Sequence, residues 1–298
     1  MSDQFKVLND SEIEQYKKEL EADTQVQVEK ELIKNKKLKY KKEFGKYDGI
    51  DKVVNSQILR DYYNQTQEKV GTFNSGLIQL DDKCGGFEEG ELVVVSGITG
   101  NGKTLLAKTL THSFGLDGVN SLWFTYEEQP KTFLRRFKAM HFPIFYLPSK
   151  LVDNKLSWIE KRIIESKVKY FTKCVFIDHL HFLIPIQESK NTSMLVGGIM
   201  RELKKIALKH DIVLFILAHT HKIKQEETPD LSNLRDSSFI AQEADKVFII
   251  RRKGKKVKGE VEFTDISDVY VLKNRLTGQL GKIAYRFSYE TGFLQEVR

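Results

Sequence analysis

The chain has 298 residues, enough for one large domain or two small ones. With 40% hydrophobic and 30% charged residues it can bury a core, and no stretch approaches the roughly 18 consecutive apolar residues of a membrane-spanning helix. Two cysteines without a CxxC pair exclude a disulfide framework and a cysteine-based zinc site, and they fit a reducing compartment. The formal charge of +7 permits a polyanionic partner but does not establish one.

The first part of the chain differs in composition from the rest. Residues 1–50 mix acidic and basic side chains with few aromatic ones, which is typical of a solvent-exposed helix or arm. The lysine run from Lys34 to Lys46 favours a solvated helical face, with an arm for nucleic acid or a partner protein as the alternative. Without the apolar core of a secretory signal, we expect a cytoplasmic protein. We assign 1–69 to a charged helical arm and linker, and 70–298 to one α/β domain.

Short runs rich in β-branched and aromatic residues indicate strands buried on both faces, at 91–96, 121–126, 173–178, 211–218 and 246–251. Helical patterns lie between them, at 103–114, 131–141, 155–170 and 193–209. This alternation predicts βαβ units and a mostly parallel central sheet flanked by helices. Later segments alternate polar and apolar residues and predict C-terminal hairpins at a sheet edge, at 268–275, 282–289 and 293–297. We expect the basic run 251–256 to form a hairpin turn.

The segment from Gly97 to Thr104 reads GITGNGKT and matches the phosphate-binding pattern GxxxxGK[ST] in full. It follows a predicted buried strand and opens a helix, where glycines let the backbone wrap phosphates and the helix N-terminus adds a positive dipole. Lys103 is expected to contact the β- and γ-phosphates of ATP, and the Thr104 hydroxyl to bind Mg²⁺. The candidate nucleotide-binding residues of this loop are Gly97, Ile98, Thr99, Gly100, Asn101, Gly102, Lys103 and Thr104.

Acidic residues end two of the predicted strands beside this loop. Asp178 closes the strand at 173–178, at the sheet edge where a carboxylate can hold the metal and its water shell. Glu127 and Glu128 follow the strand at 121–126, and one of them is expected to orient and deprotonate the attacking water.

Histidines also follow the strands of this edge. His219 is expected to sense the γ-phosphate through a hydrogen bond, whereas His179 and His181 are interpreted as packing or supporting groups. A zinc site formed by these three residues and His221 is the alternative.

The segments in this order resemble the RecA-like motor domain of hexameric replicative DNA helicases. That group includes the DnaB type, the helicase half of phage primase-helicases, and the Twinkle helicase. The resemblance runs from about Leu59 to the C-terminus. It is carried by LRDYYNQTQEKVGTFNSGL, LDDKCGGFEEGELVVVSGITGNGKT, FTYEEQP, VFIDHLHFL, FILAHTHK, LSNLRDSSFIAQEADKVFIIRR and VYVLKNRLTGQLGKIAYRFSYETGFL.

The resemblance implies a P-loop ATPase that uses ATP and Mg²⁺, forms a homohexameric ring and unwinds duplex DNA while moving on single-stranded DNA. It places the catalytic glutamate on Glu127, the metal-coordinating aspartate on Asp178 and the sensor on His219, the residue type of the phage branch. Lys273 and Arg275 fall on the pair that reaches the γ-phosphate of the neighbouring subunit.

The same resemblance implies a DNA-binding segment that faces the central channel of the ring. Arg235 and Asp236 fall in that segment, and Lys222 and Lys224 fall beside it. Two residues depart from the pattern of the related proteins: Asn233 stands at a position that is usually Asp, and Ser238 at one that is usually Gly. The arm is expected to contact a neighbouring subunit or to recruit a primase, polymerase or helicase loader in a bacterial or phage-infected cytoplasm.

Other functions fit the same phosphate loop. A recombinase-like ATPase would form filaments on single-stranded DNA, and a loader protein would use ATP as a switch without translocating. A small-molecule kinase would need an acceptor pocket, for which the sequence offers no signal. The closing segment KNRLTG…ETG favours the helicase.

Overall fold

The computed structural model describes residues 52–66, 71–135, 137, 143–184, 192–221, 223, 227–234, 237–257 and 260–297, with isolated positions before residue 50. The chain divides into two compact units, Met1–Lys69 and Val70–Arg298. Within the described residues, no helix combines the length and the apolar composition needed to cross a bilayer.

In the first unit, helix α1 spans Ser56–Thr66. Its first turn is capped by Asn55, whose side-chain oxygen accepts a hydrogen bond from the Ile58 amide at 2.8 Å. Spacings of one, three and four residues place its apolar side chains on one face of the helix, and these side chains are exposed: Ile58, Leu59, Tyr62 and Tyr63.

The second unit begins with a small hairpin-like pair and the phosphate-loop region. Its elements are β1 (Thr72–Phe73), α2 (Ile78–Cys84), β2 (Phe87–Glu88), β3 (Leu92–Gly97), α3 (Lys103–Leu116), β4 (Ser121–Thr125), α4 (Pro130–Arg135) and α5 (Leu156–Tyr170). The later elements are β5 (Cys174–Asp178), a 3₁₀ turn (Leu180–Leu183), α6 (Thr192–Lys209), β6 (Val213–His219), a second 3₁₀ turn (Leu231–Asn233), α7 (Ser237–Glu243), β7 (Lys246–Val257), β8 (Glu260–Asn274), β9 (Gly281–Phe287) and β10 (Leu294–Glu296).

Eight of the described strands form the main sheet, in the order β10-β9-β8-β7-β3-β6-β5-β4. The five strands β4, β5, β6, β3 and β7 run parallel, and β8, β9 and β10 continue the sheet antiparallel to their neighbours. The predicted mostly parallel sheet with C-terminal hairpins is therefore confirmed. Because β3 lies between β6 and β7, its carboxyl end is the point where the strand order reverses, which is where sheets of this kind bind ligands.

The central strand β3 explains why the sheet is covered on both faces. Val93 and Val95 pack in one hydrophobic layer with α3, while Leu92 and Val94 pack in the other with α5 and α6. All four side chains are fully buried, and each contributes about 1.5–3 kcal/mol to folding. Because consecutive side chains of a strand point to opposite faces, the continuous apolar run of β3 packs against both layers.

One sequence expectation is wrong: the basic run 251–256 lies inside β7 and does not form a hairpin turn. Its partner strand β8 supplies the contacts that keep these charged residues extended. Arg251 Nη2 donates to the Tyr270 hydroxyl at 2.9 Å, and Arg252 Nε donates to the Thr264 carbonyl oxygen at 2.6 Å. A register shift between Arg252 and Gly254 is accommodated within the ladder.

Candidate nucleotide-binding site

The phosphate loop connects β3 to α3 and is held against β7. Gly97 has φ 158°, and a Cβ added there would lie 2.5 Å from the Ile250 carbonyl oxygen. Asn101 is buried, and its side-chain oxygen accepts a hydrogen bond from the Arg252 amide at 2.9 Å. Gly97 and Asn101 therefore hold the loop close to the neighbouring strand, and no side chain intervenes at the closest approach.

Lys103 is buried at the first turn of α3 and its ammonium lies at the centre of the loop. Nζ donates to the carbonyl oxygens of Gly97 at 3.0 Å and Ile98 at 3.4 Å, and it lies 3.2 Å from His219 Nδ1. Burial lowers the pKa of Lys103, and the negative charges of Asp178 and Glu127 oppose that shift. The ammonium is thus partly desolvated and directed to the place where loop amides would hold phosphate.

Thr104 and Asp178 form the candidate metal site. The Thr104 hydroxyl donates to Asp178 Oδ2 at 3.0 Å, and the carboxylate is 4% exposed. Burial, reinforced by the negative charge of Glu127, raises the pKa of Asp178 from its ordinary value of 3.8 to about 7. Among the described residues, Asp178 Oδ1 has no hydrogen-bond partner. A hydroxyl beside a buried carboxylate with an unused oxygen fits a hard divalent cation such as Mg²⁺, whose charge would favour the ionised carboxylate.

Glu127 and Glu128 follow β4 and line the same cleft. The amides of Tyr126 and Glu127 donate to the Asp178 carbonyl oxygen at 2.8 and 3.2 Å, which joins the carboxyl ends of β4 and β5. The Glu127 side chain is exposed, whereas Glu128 is half-buried. The cleft has a volume of about 450 Å³ and is lined by Thr99, Gly100, Gly102, Lys103, Thr104, Leu105, Glu127, Glu128 and Asp178.

Two histidines lie beside this cleft. His219 ends β6, with Nδ1 3.5 Å from the Thr99 hydroxyl, and its ring centroid lies 4.4 Å from that of His179. Together with Glu127, these two histidines offer ligand-type atoms that lie within 4.8 Å of one another. The predicted four-histidine set differs from this described group, which contains neither His181 nor His221. His179, interpreted from the sequence as a packing or supporting group and named in the zinc alternative, is brought by the structure beside Glu127 and His219.

Lys273 and Arg275 lie at the edge of the sheet formed by the amino ends of the parallel strands, whereas the phosphate loop lies at the edge formed by their carboxyl ends. Lys273 is paired with Val247 near the amino end of β7, and the Arg275 amide donates to the Asp245 carbonyl oxygen at 2.9 Å. The loop instead follows the carboxyl end of β3, which runs parallel to β7. Since β3 rises ~3.3 Å per residue, its ends are about 17 Å apart. The chain therefore does not bring these two cations to its own phosphate loop.

The four predicted DNA-binding residues, Lys222, Lys224, Arg235 and Asp236, lie outside the described residues. The positions next to them are described. Thr220 and Leu234 form an antiparallel bridge, and the His221 amide donates to the Asn233 carbonyl oxygen at 2.9 Å. The Asn233 side chain accepts from the Asp230 amide at 2.7 Å and completes a capping box. Asn at this position is thus used to close the turn before α7.

Comparison with known proteins places this architecture in a class. A solved ATPase domain superposes with a TM-score of 0.67 at 20% identity, and the match covers 83% of this chain and 100% of that domain. A solved DnaB-like replicative helicase, studied with its interactions with primase, gives a TM-score of 0.67 at 20% identity over 93% of this chain and 77% of that one. The fold is thus the RecA-like P-loop fold of helicase ATPase domains.

The sequence comparisons are more particular. Residues 151–295 match the model of the DnaB-like helicase C-terminal domain. The replicative DNA helicase DnaB of Mycoplasma pneumoniae is 25% identical over 284 residues, covering 81% of this chain and 60% of that protein. The DnaB of Treponema pallidum is 21% identical, covering 80% of this chain and 58% of that protein. The predicted resemblance to the motor of DnaB-type replicative helicases is confirmed, and the chain spans about 60% of the M. pneumoniae relative's length.

Proposed function

We propose that the chain is the ATP-driven motor of a replicative DNA helicase that works as a ring, most simply a homohexamer. The observation that carries the proposal is the placement of its charged groups at two edges of one sheet. The phosphate loop, Asp178 and Glu127 lie at one edge, and Lys273 and Arg275 lie at the other. In a ring with head-to-tail contacts, each subunit would offer one edge to each neighbour, which completes every site.

The chemistry assigned to the first edge is ATP hydrolysis. The loop from Gly97 to Thr104 holds the phosphates through its amides and Lys103. Thr104 and Asp178 would hold Mg²⁺, whose positive charge would offset the negative charge of the phosphates. Glu127 orients the attacking water and accepts its proton, and His219 contacts the γ-phosphate.

The second edge acts on the neighbouring subunit. Arg275, with Lys273 beside it, stabilises the charge that develops on the neighbour's γ-phosphate, a contribution worth ~10³–10⁵ in rate for arginines of this kind. Loss of the phosphate is transmitted through β6 to the segment that contains Lys222, Lys224, Arg235 and Asp236. These residues hold single-stranded DNA by its phosphates, so binding is salt-dependent and largely independent of sequence. The N-terminal unit contacts a neighbouring subunit, or a primase, polymerase or loader, in a bacterial or phage-infected cytoplasm.

A complementation experiment tests the shared site directly. Lys103→Ala and Arg275→Ala rings are each expected to lack ATP hydrolysis and unwinding of a forked duplex. When the two variants are mixed before ring assembly, an Arg275→Ala subunit offers an intact loop and a Lys103→Ala neighbour offers an intact arginine. In an equimolar random ring this combination occurs at about a quarter of the interfaces. Hydrolysis should therefore return on mixing. Two variants that stay inactive after mixing, in rings shown to exchange subunits, would contradict a site shared between neighbours.

The same assay distinguishes the alternatives. Wild-type protein should separate the strands of a forked duplex with ATP and Mg²⁺, and Lys103→Ala should not. Hydrolysis stimulated by DNA without strand separation, together with filaments in electron micrographs, would instead support a recombinase-like ATPase. Nucleotide binding without turnover would support a switch.

A further inference from the structure

Asp245 lies between α7 and β7 at the amino edge of the sheet and is 6% exposed. Its main chain joins three elements, because its amide donates to the Leu92 carbonyl oxygen at 2.8 Å and its own carbonyl oxygen accepts from the Arg275 amide at 2.9 Å. Its two carboxylate oxygens have different partners. Oδ2 accepts from the Leu92 amide at 2.8 Å and from Lys204 Nζ at 2.6 Å, whereas Oδ1 accepts from Arg275 Nη1 at 3.0 Å.

The carboxyl end of α7 completes the surroundings of the two cations. Arg275 Nη2 donates to the Gln242 carbonyl oxygen at 3.0 Å, and Lys273 Nζ donates to the carbonyl oxygens of Ala241 at 2.6 Å and Gln242 at 3.2 Å. These are carbonyl groups at the negative end of a helix, which favours positive charge. The main-chain amide of Arg275 and both terminal nitrogens of its guanidinium are hydrogen-bonded. The side chain is nevertheless 53% exposed, so the guanidinium faces outward.

Positive charge is crowded at this edge. Lys204, Lys273 and Arg275 all contact Asp245 or the end of α7, and burial together with the charge of Arg275 lowers the pKa of Lys273. The Asp245 carboxylate contacts both Lys204 and Arg275, and its negative charge offsets their repulsion. Without it, the hydrogen bond to the Gln242 carbonyl oxygen would remain, but the guanidinium would lose the contact that fixes Nη1.

We propose that Asp245 is a positioning residue: with the last carbonyls of α7 it orients Arg275 so that the guanidinium is presented to the neighbouring subunit's γ-phosphate. The proposal rests on the trans role of Arg275 in the proposed function. Its physical reason is preorganisation, because a displacement of about 1 Å in a group that contacts the transition state can cost ~10²-fold in rate.

The substitution Asp245→Asn tests the contact of Oδ1 with Arg275 separately from the contacts of Oδ2 with the Leu92 amide and Lys204. The amide oxygen can keep the hydrogen bonds from the Leu92 amide and Lys204, which leaves the amide nitrogen, a donor, facing the donor Arg275. We expect kcat for DNA-stimulated ATP hydrolysis to fall about 10- to 100-fold. The KM for ATP should change less than about twofold, because the loop that binds the phosphates lies at the other edge. The matched control is Lys204→Met, which removes the other cation from the same carboxylate and should keep wild-type kcat.

A further measurement separates positioning from folding. Asp245→Asn mixed with Lys103→Ala should recover hydrolysis as Arg275→Ala does. If Asp245→Asn fails to assemble, Arg275→Lys replaces it: a lysine cannot bridge Asp245 and Gln242 as the guanidinium does, and its kcat should fall at least 10-fold.

The outcomes distinguish the positioning role of Asp245 from the trans role of Arg275. Wild-type kcat in assembled Asp245→Asn or in Arg275→Lys, with Arg275→Ala inactive, would overturn the positioning role and leave the trans arginine intact. Wild-type kcat in Arg275→Ala would overturn the trans role itself.

Discussion

Asp178→Asn should stabilise the folded chain while removing its proposed ability to use Mg²⁺. The pKa of Asp178 is raised from 3.8 to about 7 by burial and by Glu127. The group takes up a proton on folding between these values, so the stability it contributes falls as pH rises through this window. At pH 8 the ionised carboxyl costs the folded state about 4 kcal/mol, since each unit of pKa shift is worth about 1.36 kcal/mol. At pH 5 the cost is about 2 kcal/mol, because the folded chain still holds the proton that the unfolded chain has already lost.

Asparagine cannot ionise and can still accept the hydrogen bond from Thr104. The stabilisation by Asp178→Asn should thus be larger at pH 8 than at pH 5 by about 2–3 kcal/mol, or about 5 °C in Tm for a chain of this size. Thermal unfolding in EDTA without nucleotide measures it. Asp117→Asn, at an exposed position, is the control and should follow the wild type at both pH values. An equal difference between Asp178→Asn and wild type at pH 5 and pH 8 would refute the argument.

Three further predictions concern the same edge of the sheet. Because protons and Mg²⁺ compete for the Asp178 carboxylate, the Mg²⁺ concentration for half-maximal hydrolysis should fall as pH rises from 6 to 8, and a pH-independent value would contradict this. Glu127→Gln should bind ATP with wild-type affinity and lose turnover, measured by nucleotide titration beside a hydrolysis assay, whereas wild-type turnover would remove Glu127 from the catalytic role. Asn101→Ala removes the acceptor for the Arg252 amide and should destabilise the chain by about 1–3 kcal/mol and raise the KM for ATP, with the exposed Asn154→Ala as control.

The strands that form the parallel sheet are predictable because their signal is local. The run 91–96 contains four consecutive apolar residues, three of them valine, and the observed strand Leu92–Gly97 differs from it by one residue at each end. The length of β7, by contrast, is not predictable from the residues of that strand, which continues to Val257, beyond the predicted end at residue 251. The basic run 251–256 looks like a turn by itself, but the adjacent strand β8 pairs with it and offers the Thr264 carbonyl oxygen and the Phe263 ring as partners of Arg252.

The candidate site divides in the same way. Phosphate binding by GITGNGKT depends on the conformation of eight consecutive residues, so the motif alone predicts where it begins and ends. His179 could be interpreted as a packing residue because nothing near it in sequence shows that β6 brings His219 within 4.4 Å between ring centroids. That contact exists only because β5 and β6 are neighbours in the sheet.

The sequence by itself determined the class of fold, the phosphate loop and the order of motifs that resembles the DnaB-type motor, since each depends on residues that are contiguous or regularly spaced. Only the tertiary structure decided that Asp178 is buried enough to hold a proton near neutral pH, and that Lys273 and Arg275 lie a strand's length from the chain's own loop. It also decided that Asp245 joins Leu92, Lys204 and Arg275 through one carboxylate. Burial, strand direction and hydrogen bonds between distant residues are properties of the packed sheet, and no local pattern contains them.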